Sequence, residues 1–173
     1  MKANPKSRSE GDATTTASEP ARYEKDLYGW VEDQVVLLRA NEVGSIDASH
    51  ITRELAELGR SEFEKLVSAI RIVLVHLLKW DHQPQRRSRS WATTIREHRD
   101  RIDYVLRDNP SLKPRIPQAT KDAYRFARRG AARETLMDEE AFAAACPYSW
   151  EDITMRPVLW DDEASRRERE RGE

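Results

Sequence analysis

The chain has 173 residues, of which 38% are hydrophobic and 35% are charged, and its formal net charge is -1. This balance gives no bulk preference for nucleic acid or for an anionic membrane, and six glycines with few β-branched runs argue against a sheet. The single cysteine, Cys146, excludes an internal disulfide and fits a reducing cytosol. No apolar run at the start resembles a signal peptide, so we predict a cytoplasmic protein without membrane association.

The two ends of the chain are predicted to be tails. Residues 1–20 contain no large apolar side chain except Met1, so they cannot bury enough surface to offset the entropy of ordering. We therefore expect them to be disordered. Residues 161–173 form a charged tail that is expected to fray. Residues 21–160 are predicted to form one domain.

Two helices are predicted before the centre of the chain. The first runs from about residue 21 to 40, and a stripe at helical spacing supports it. The residues of this stripe are Tyr23, Leu27, Trp30, Val31, Gln34, Val35 and Leu38. Asp47 is expected to cap a shorter second helix. Gly59 is expected to form the bend that separates this second helix from the next element.

The stretch from Ser61 to Gln83 is predicted to be the central helix. Ser61 and Glu64 match a capping box. Large apolar side chains then share one face at helical spacing: Phe63, Leu66, Ile70, Val73, Leu74, Leu77 and Leu78. A helix with so much apolar surface needs neighbours on several sides, and Pro84 is expected to stop it.

Further helices are predicted towards the C-terminus. Ser88 or Ser90 is expected to cap the next helix, and Pro117 suits the first turn of a helix with a small-residue face. Ser149 with Asp152 predicts the cap of another short helix. The sequence therefore predicts an all-α fold, a single-domain bundle of four to five main helices with a short irregular C-terminal segment.

Six segments in chain order form a recognisable pattern. They are Tyr23–Tyr28, Glu54–Glu62, His76–Trp80, Gln83–Trp91, Ala131–Thr135 and Cys146–Tyr148. Together they resemble the bacterial family catalogued as domain of unknown function 29, over roughly residues 23 to 160. The resemblance implies an all-helical bundle, and it implies no activity and no catalytic residue. Ala144 and Ala145 stand where that family often has acidic residues.

The basic connection after the central helix is the candidate binding site. A helix N-terminus offers unpaired N–H groups and a partial positive charge, and arginine offers a planar fork for phosphate or carboxylate. The side chains that could hold an anion or nucleic acid there are Arg86, Arg87, Arg89, Arg96, Ser88 and Ser90. Trp80 and Trp91 flank the connection and could stack a base.

A purely structural interpretation of the same residues is favoured. The arginines could pair with carboxylates on the preceding helices and fix the angle of the connection. The candidate partners are Glu54, Glu57, Glu62 and Glu64. The two tryptophans are more typical of core anchors, and a nucleic-acid-binding domain is usually more basic than this one.

The sequence gives little support for a metal site or for a catalytic cysteine. His76 and His82 point about 240° apart around a helix, and neither His50 nor His98 completes a zinc spacing. Cys146 has no histidine nearby in sequence and is expected to be a buried small hydrophobe. We therefore expect no metal, no cofactor and no catalytic residue.

These observations lead to three hypotheses about function. The first is a non-enzymatic cytoplasmic interaction or structural protein with an unknown protein partner. The second is anion or nucleic-acid binding through the 86–89 loop, which is not favoured. The third and weakest is a metal-dependent hydrolase of the helical-bundle type. The oligomeric state stays open.

Overall fold

The computed structural model describes residues 20–160, and every regular element in that range is helical. The α-helices are α1 (Pro20–Lys25), α2 (Leu27–Arg39), α3 (Ala48–His82), α4 (Arg89–Asp108), α5 (Ile116–Thr135) and α6 (Trp150–Met155). Short 3-10 turns occupy Val43–Ser45, Pro84–Arg86, Pro110–Arg115 and Glu139–Ala141. The all-α prediction is confirmed. The predicted tails lie outside the described residues, except Pro20, which begins α1.

The chain divides into two compact units, and the boundary between Ala56 and Glu57 falls inside α3. The first unit contains α1, α2 and the start of α3, and the second contains the remaining helices. The sequence predicts one domain over residues 21–160, whereas the structure shows two compact units in this range. That these units form a single domain stays a prediction. No helix within residues 20–160 is long and apolar enough to cross a bilayer.

The first unit begins with a helix that is interrupted where one continuous helix was predicted. Asp26 leaves helical geometry, with φ -148°, and its side chain accepts a hydrogen bond from Gly29 N at 2.9 Å. This N-cap starts a new helix, because the carboxylate satisfies a backbone donor that would otherwise be unpaired. Asp47 caps α3 as predicted, since its Oδ1 accepts from His50 N at 3.2 Å.

A small aromatic cluster supports the first unit. The Tyr23 ring stacks on His50 at 4.1 Å between centroids and meets Trp30 edge-on at 4.9 Å. The guanidinium of Arg53 lies 4.5 Å from the centre of the Tyr23 ring, and the Tyr23 hydroxyl donates to Glu54. The cluster joins α1, α2 and the start of α3.

Helix α3 is continuous through Gly59, so the predicted bend at Gly59 and the predicted cap at Ser61 are wrong. A glycine inside a helix costs only about 1 kcal/mol relative to alanine, and good helix formers such as Leu58 and Arg60 flank it. Ser61 is therefore an interior helical residue. The helix ends at His82, immediately before Gln83 and Pro84, as the proline predicts.

The second unit has one hydrophobic core centred on α3. The fully buried α3 side chains include Leu66, Ile70, Val73, Leu74, Leu77 and Leu78. They share a core with Ala92, Ile95 and Ile102 of α4 and with Ala119, Ala123, Ala127 and Ala131 of α5. The alanines let α5 approach closely, as the small-residue face predicts. Ser88 provides the predicted N-cap of α4, and Pro117 lies in the first turn of α5.

The C-terminal segment is attached to this core by buried side chains and by two arginines. Ser149 and Asp152 form the predicted capping box of α6. Arg99 of α4 donates to the carbonyl oxygens of Asp152, Ile153 and Arg156 at 2.9, 2.7 and 2.8 Å. These bonds satisfy carbonyls at the end of α6 that its own helix leaves without donors.

Asp81 near the end of α3 provides the second attachment. Its two carboxylate oxygens accept from the guanidinium of Arg156 at 2.6 and 2.9 Å. The Tyr148 hydroxyl donates to the same carboxylate at 2.9 Å. Burial opposes the ionisation of Asp81, but the hydrogen bonds from Arg156 and Tyr148 outweigh it, so the pKa of Asp81 lies below its ordinary value.

Candidate anion and ligand sites

The predicted arginine site lies on a short 3-10 turn and the start of α4. Arg86 and Arg89 are exposed, and neither forms an ion pair with a carboxylate among residues 20–160. Ser88 uses its hydroxyl to cap α4, accepting from Trp91 N at 3.4 Å. Ser90 is exposed in the first turn of the same helix.

Arg87 and Arg96 are already engaged. The Nε of Arg87 donates to the Trp80 carbonyl at 2.9 Å, and its guanidinium lies 5.1 Å from the centre of the Trp80 ring. Arg87 therefore holds the connection against the end of α3. Arg96 lies two turns into α4, is exposed, and also has an interaction partner. Arg86 and Arg89 are thus the two arginines of this site that have neither an ion pair nor a side-chain hydrogen bond within the described range.

Three of the four carboxylates predicted as alternative partners of these arginines have other partners. Glu57 pairs with Arg60 at 3.0 Å, and Glu62 pairs with Lys65 at 2.6 Å. Glu54 accepts from the Tyr23 hydroxyl. Glu64 forms no ion pair within residues 20–160, so none of the four carboxylates pairs with these arginines there. The contact that joins the connection to the preceding helix is the one between Arg87 and Trp80.

The two tryptophans beside the connection serve the core. Trp80 is buried, with Arg87 stacked over its ring. Trp91 is half-buried, and the ammonium of Lys79 lies 4.4 Å from the centre of its ring. Each ring therefore has a cation on a face, an arrangement that stabilises the protein itself.

Lys79 is a buried cation that the sequence did not reveal as a special residue. Its side chain is 9% exposed, and its ammonium donates to Glu134 Oε2 of α5 at 2.6 Å. Buried charges require such a partner because removing them from water is costly. Close by, Gln83 donates to the Thr135 carbonyl at 3.1 Å. Together these contacts join the ends of α3 and α5.

The histidines do not converge on a metal site. Nδ1 of His76 lies 2.9 Å from the Ile72 carbonyl, and Nδ1 of His82 lies 2.8 Å from the Leu78 carbonyl, so both bond within their own helix. Burial lowers the pKa of His76, which favours the neutral ring. No group of three histidine, cysteine or acidic side chains within residues 20–160 could hold a metal ion.

An acidic cleft of about 900 Å³ lies between α3 and α4. Among its lining residues is His98, whose Nδ1 is buried without a hydrogen-bond partner in the described part of the chain. Burial and the charge of Arg101 lower the pKa of His98. No serine, threonine or cysteine lines this cleft among the described residues, so His98 has no nucleophile of those three types to activate there, and the cleft's hydroxyl is the phenol of Tyr104.

A second cavity, of about 510 Å³, lies between α5 and the segment 139–146. Cys146 lines it, and its thiol contacts the Tyr148 carbonyl at 3.7 Å. Burial raises the pKa of Cys146, so the thiol stays protonated at neutral pH. Ala144 and Ala145 lie at the same cavity. Cys146 is half-buried, so it is less buried than the small buried hydrophobe that was predicted.

A family model described as domain of unknown function DUF29 matches residues 22–157. The chain belongs to the DUF29 family. The resemblance seen in the sequence is therefore confirmed, and the DUF29 region contains the arginine connection, the acidic cleft and the α5 cavity. Comparison with curated proteins and with solved structures gave no match.

Sequence reasoning missed the α5 cavity and the exposed face of α2. The cavity joins residues from two separate segments of the DUF29 region, so no local pattern marks it. The stripe predicted for the first helix contains both the buried residues Trp30 and Gln34 and the exposed Leu27, Val31 and Leu38. Helical spacing alone does not show which part of such a stripe is buried.

Proposed function

We propose that this DUF29 protein is a non-enzymatic cytoplasmic interaction protein that associates through α2 with a second copy of the chain. The observation that carries this proposal is an exposed apolar stripe on α2. Leu27, Val31 and Leu38 keep 49%, 39% and 50% of their surface exposed. Their spacing places them within about 40° of one line along the helix, which is how a helical partner is recognised.

The first unit has little core of its own, which supports a partner for the stripe. Trp30 and Gln34 are the buried residues of α2 within this unit. Small units bury too little surface to be very stable alone, and association is one way to add burial. Covering Leu27, Val31 and Leu38 would supply that burial.

Two charges beside the stripe favour a second copy as the occupant. Glu32 and Arg39 are seven residues apart, so they lie on the same flank of α2. Neither forms an ion pair within residues 20–160. In an antiparallel pair of α2 helices related by a two-fold axis, Glu32 of each copy would face Arg39 of the other. A self-complementary flank of this kind suits an isologous dimer.

Sedimentation velocity over a range of concentrations tests the proposal. The wild type should dimerise, and Leu38→Ser should weaken the dimer by about tenfold or more. Val36→Ser is the matched control, because Val36 is exposed on the opposite side of α2. Glu32→Arg and Arg39→Glu should each weaken dimerisation, and the variant that carries both substitutions should dimerise like the wild type. A monomer at every concentration, or equal effects of the two serine variants, would refute the proposal.

A second candidate function is anion or nucleic-acid binding through Arg86 and Arg89. The observation that favours it is their exposure without an ion pair within residues 20–160, at the start of α4. Titration with single-stranded DNA at several salt concentrations tests it. Arg86→Ala with Arg89→Ala should reduce the salt slope by roughly one for each phosphate that is no longer neutralised, while Lys113→Ala should not. An unchanged slope in the double variant would rule this site out.

A further inference from the structure

We propose that the cavity between α5 and the segment 139–146 binds a small organic carboxylate with an apolar body. The cavity measures about 510 Å³, within the usual range of small-molecule sites. It lies entirely within the second compact unit. The inference is therefore independent of association through α2.

Hydrogen bonds at two places fix the walls of this cavity. The Tyr124 hydroxyl of α5 donates to the Ala143 carbonyl at 2.6 Å. The Nε of Arg128 donates to the Glu139 carbonyl at 3.0 Å. The segment that faces α5 is thus held before any ligand arrives, and a preformed site loses less conformational freedom on binding.

The positive charge at the cavity comes from one face of α5. Lys121, Arg125 and Arg128 are spaced four and three residues apart, so their side chains form a row along the helix. All three line the cavity. Arg128 is committed to the wall, because it also pairs with the Glu139 carboxylate at 3.5 Å. Lys121 and Arg125 have no carboxylate partner among residues 20–160.

The two carboxylates at the cavity are already engaged. Asp122 accepts from the Gln118 side chain at 2.9 Å, and Glu139 is held by Arg128. The lining therefore carries three cations against two carboxylates, which leaves one positive charge in excess. One excess charge suits a monoanion such as a carboxylate better than a dianionic phosphate.

Arg125 is placed to bind the anionic group of the ligand. Its guanidinium lies over the Phe126 ring, 4.9 Å from the ring centre. Stacking uses the face of the guanidinium and leaves the N–H groups in its plane available as donors. A planar fork of donors matches a carboxylate in a bidentate arrangement.

The remaining lining suits an apolar ligand body. Pro117, Tyr124, Ala144, Ala145 and Cys146 contribute ring, methyl and thiol surface. The Tyr124 hydroxyl and the Cys146 thiol each contact a backbone carbonyl, so neither is left as an unpaired polar group for the ligand to satisfy. An uncharged thiol also adds no repulsion against a carboxylate.

Calorimetric titration with octanoate, octanol and octylamine tests the inference, because the three probes share a chain and differ in the head group. Octanoate should bind the wild type at least about tenfold more tightly than octanol, and octylamine should bind more weakly than both. Arg125→Gln should lower the affinity for octanoate by about tenfold and leave the affinity for octanol unchanged. Arg133→Gln removes the same charge from α5 outside the cavity lining and should change octanoate affinity by less than about twofold.

A cavity-filling variant locates the site. Ala145→Trp places a large ring at the exposed edge of the cavity and should abolish octanoate binding, while circular dichroism shows that the helices are intact. The inference fails if octanoate binds no more tightly than octanol, or if Arg125→Gln and Arg133→Gln behave alike. Octanoate binding that Ala145→Trp leaves intact would also overturn it.

Discussion

The ammonium of Lys79 lies 2.6 Å from Glu134 Oε2, so a buried cation of α3 is held by a carboxylate of α5. The Lys79 side chain is 9% exposed and that of Glu134 is 40% exposed. Water therefore reaches the ion pair mainly at Glu134. Trp91 of α4 covers the same ammonium, with its ring centre 4.4 Å away. Three helices therefore meet at one charge.

Removal of the Glu134 charge should destabilise the fold. In Glu134→Gln the Lys79 ammonium stays buried without its carboxylate, and we expect the free energy of unfolding to fall by about 1–3 kcal/mol. Urea denaturation at pH 7 measures this, with the exposed Glu140→Gln as control. The double variant Lys79→Met with Glu134→Gln should lose less free energy of unfolding than Glu134→Gln alone, because it leaves no buried charge without a partner. Equal losses in Glu134→Gln and Glu140→Gln would contradict the prediction.

Leu74→Ala should be strongly destabilising. Leu74 is fully buried in the α3 core, so truncation leaves a cavity and should lower the free energy of unfolding by about 2–5 kcal/mol. Leu58→Ala on the same helix is the matched control, because Leu58 is 61% exposed and should change stability by less than about 0.5 kcal/mol. Chemical denaturation of both variants checks the difference. Similar values would mean that α3 does not organise the core.

Asp81 should contribute stability that depends on pH. Its pKa lies below the ordinary value of 3.8 because the bonds from Arg156 and Tyr148 outweigh the opposing effect of burial. A group whose pKa falls on folding stabilises the protein above its unfolded pKa, and this contribution is lost as pH falls through the folded value. Asp81→Asn should therefore be less stable than wild type at pH 7 and pH 5, and the gap should narrow below about pH 3.8.

Urea denaturation of wild type and Asp81→Asn at pH 7, 5 and 3 measures that gap. Asp138→Asn is a suitable control, since Asp138 is exposed and forms no ion pair within residues 20–160. A gap of constant size down to pH 3 would show that the Asp81 carboxylate is not the stabilising species.

Arg99→Lys should loosen α6 in spite of the retained charge. The guanidinium donates to three carbonyl oxygens between residues 152 and 156, and an ammonium on a different stem does not reproduce that fork. We expect the free energy of unfolding to fall by about 1–3 kcal/mol and the amide hydrogens of α6 to exchange faster. Arg101→Lys on the same helix is the control. Unchanged exchange rates in α6 would show that Arg99 does not hold it.

Leu136→Gly should stabilise the protein. Leu136 ends α5 in the left-handed conformation, with φ 59°, and 90% of its surface is exposed. That conformation costs a residue with a side chain roughly 1–2 kcal/mol, whereas glycine adopts it freely. We expect the melting temperature to rise, by an amount equivalent to about 0.5–1 kcal/mol. Met155→Gly, exposed but without a positive φ, should lower it instead, and a fall in both variants would contradict the argument.

Local chemistry explains what the sequence predicted well. The caps at Asp47, Ser88 and Ser149 each depend on a side chain and a backbone N–H three residues away, so the sequence pattern contains both partners. The apolar face of α3 was predicted for the same reason. The bend at Gly59 was wrong because one glycine was given more weight than the helix formers around it.

Contacts between distant parts of the chain explain what was not predicted. Lys79 meets a carboxylate 55 residues later, and Arg99 meets carbonyls more than 50 residues later. The local sequence around Lys79 and Arg99 does not indicate which distant residue each of them contacts. The same holds for the candidate sites, since Arg87 is engaged by the Trp80 carbonyl and the α5 cavity needs the segment 139–146 beside the helix.

The attachment of Arg156 to Asp81 also sets an order of events during synthesis. The two residues are 75 positions apart, so α3, α4 and α5 have all been translated before Arg156 leaves the ribosome. Phe142 and Ile153, both fully buried in the finished protein, reach the core only with that last segment. A nascent chain that stalls after α5 therefore presents uncovered apolar surface, which is the feature that chaperones bind.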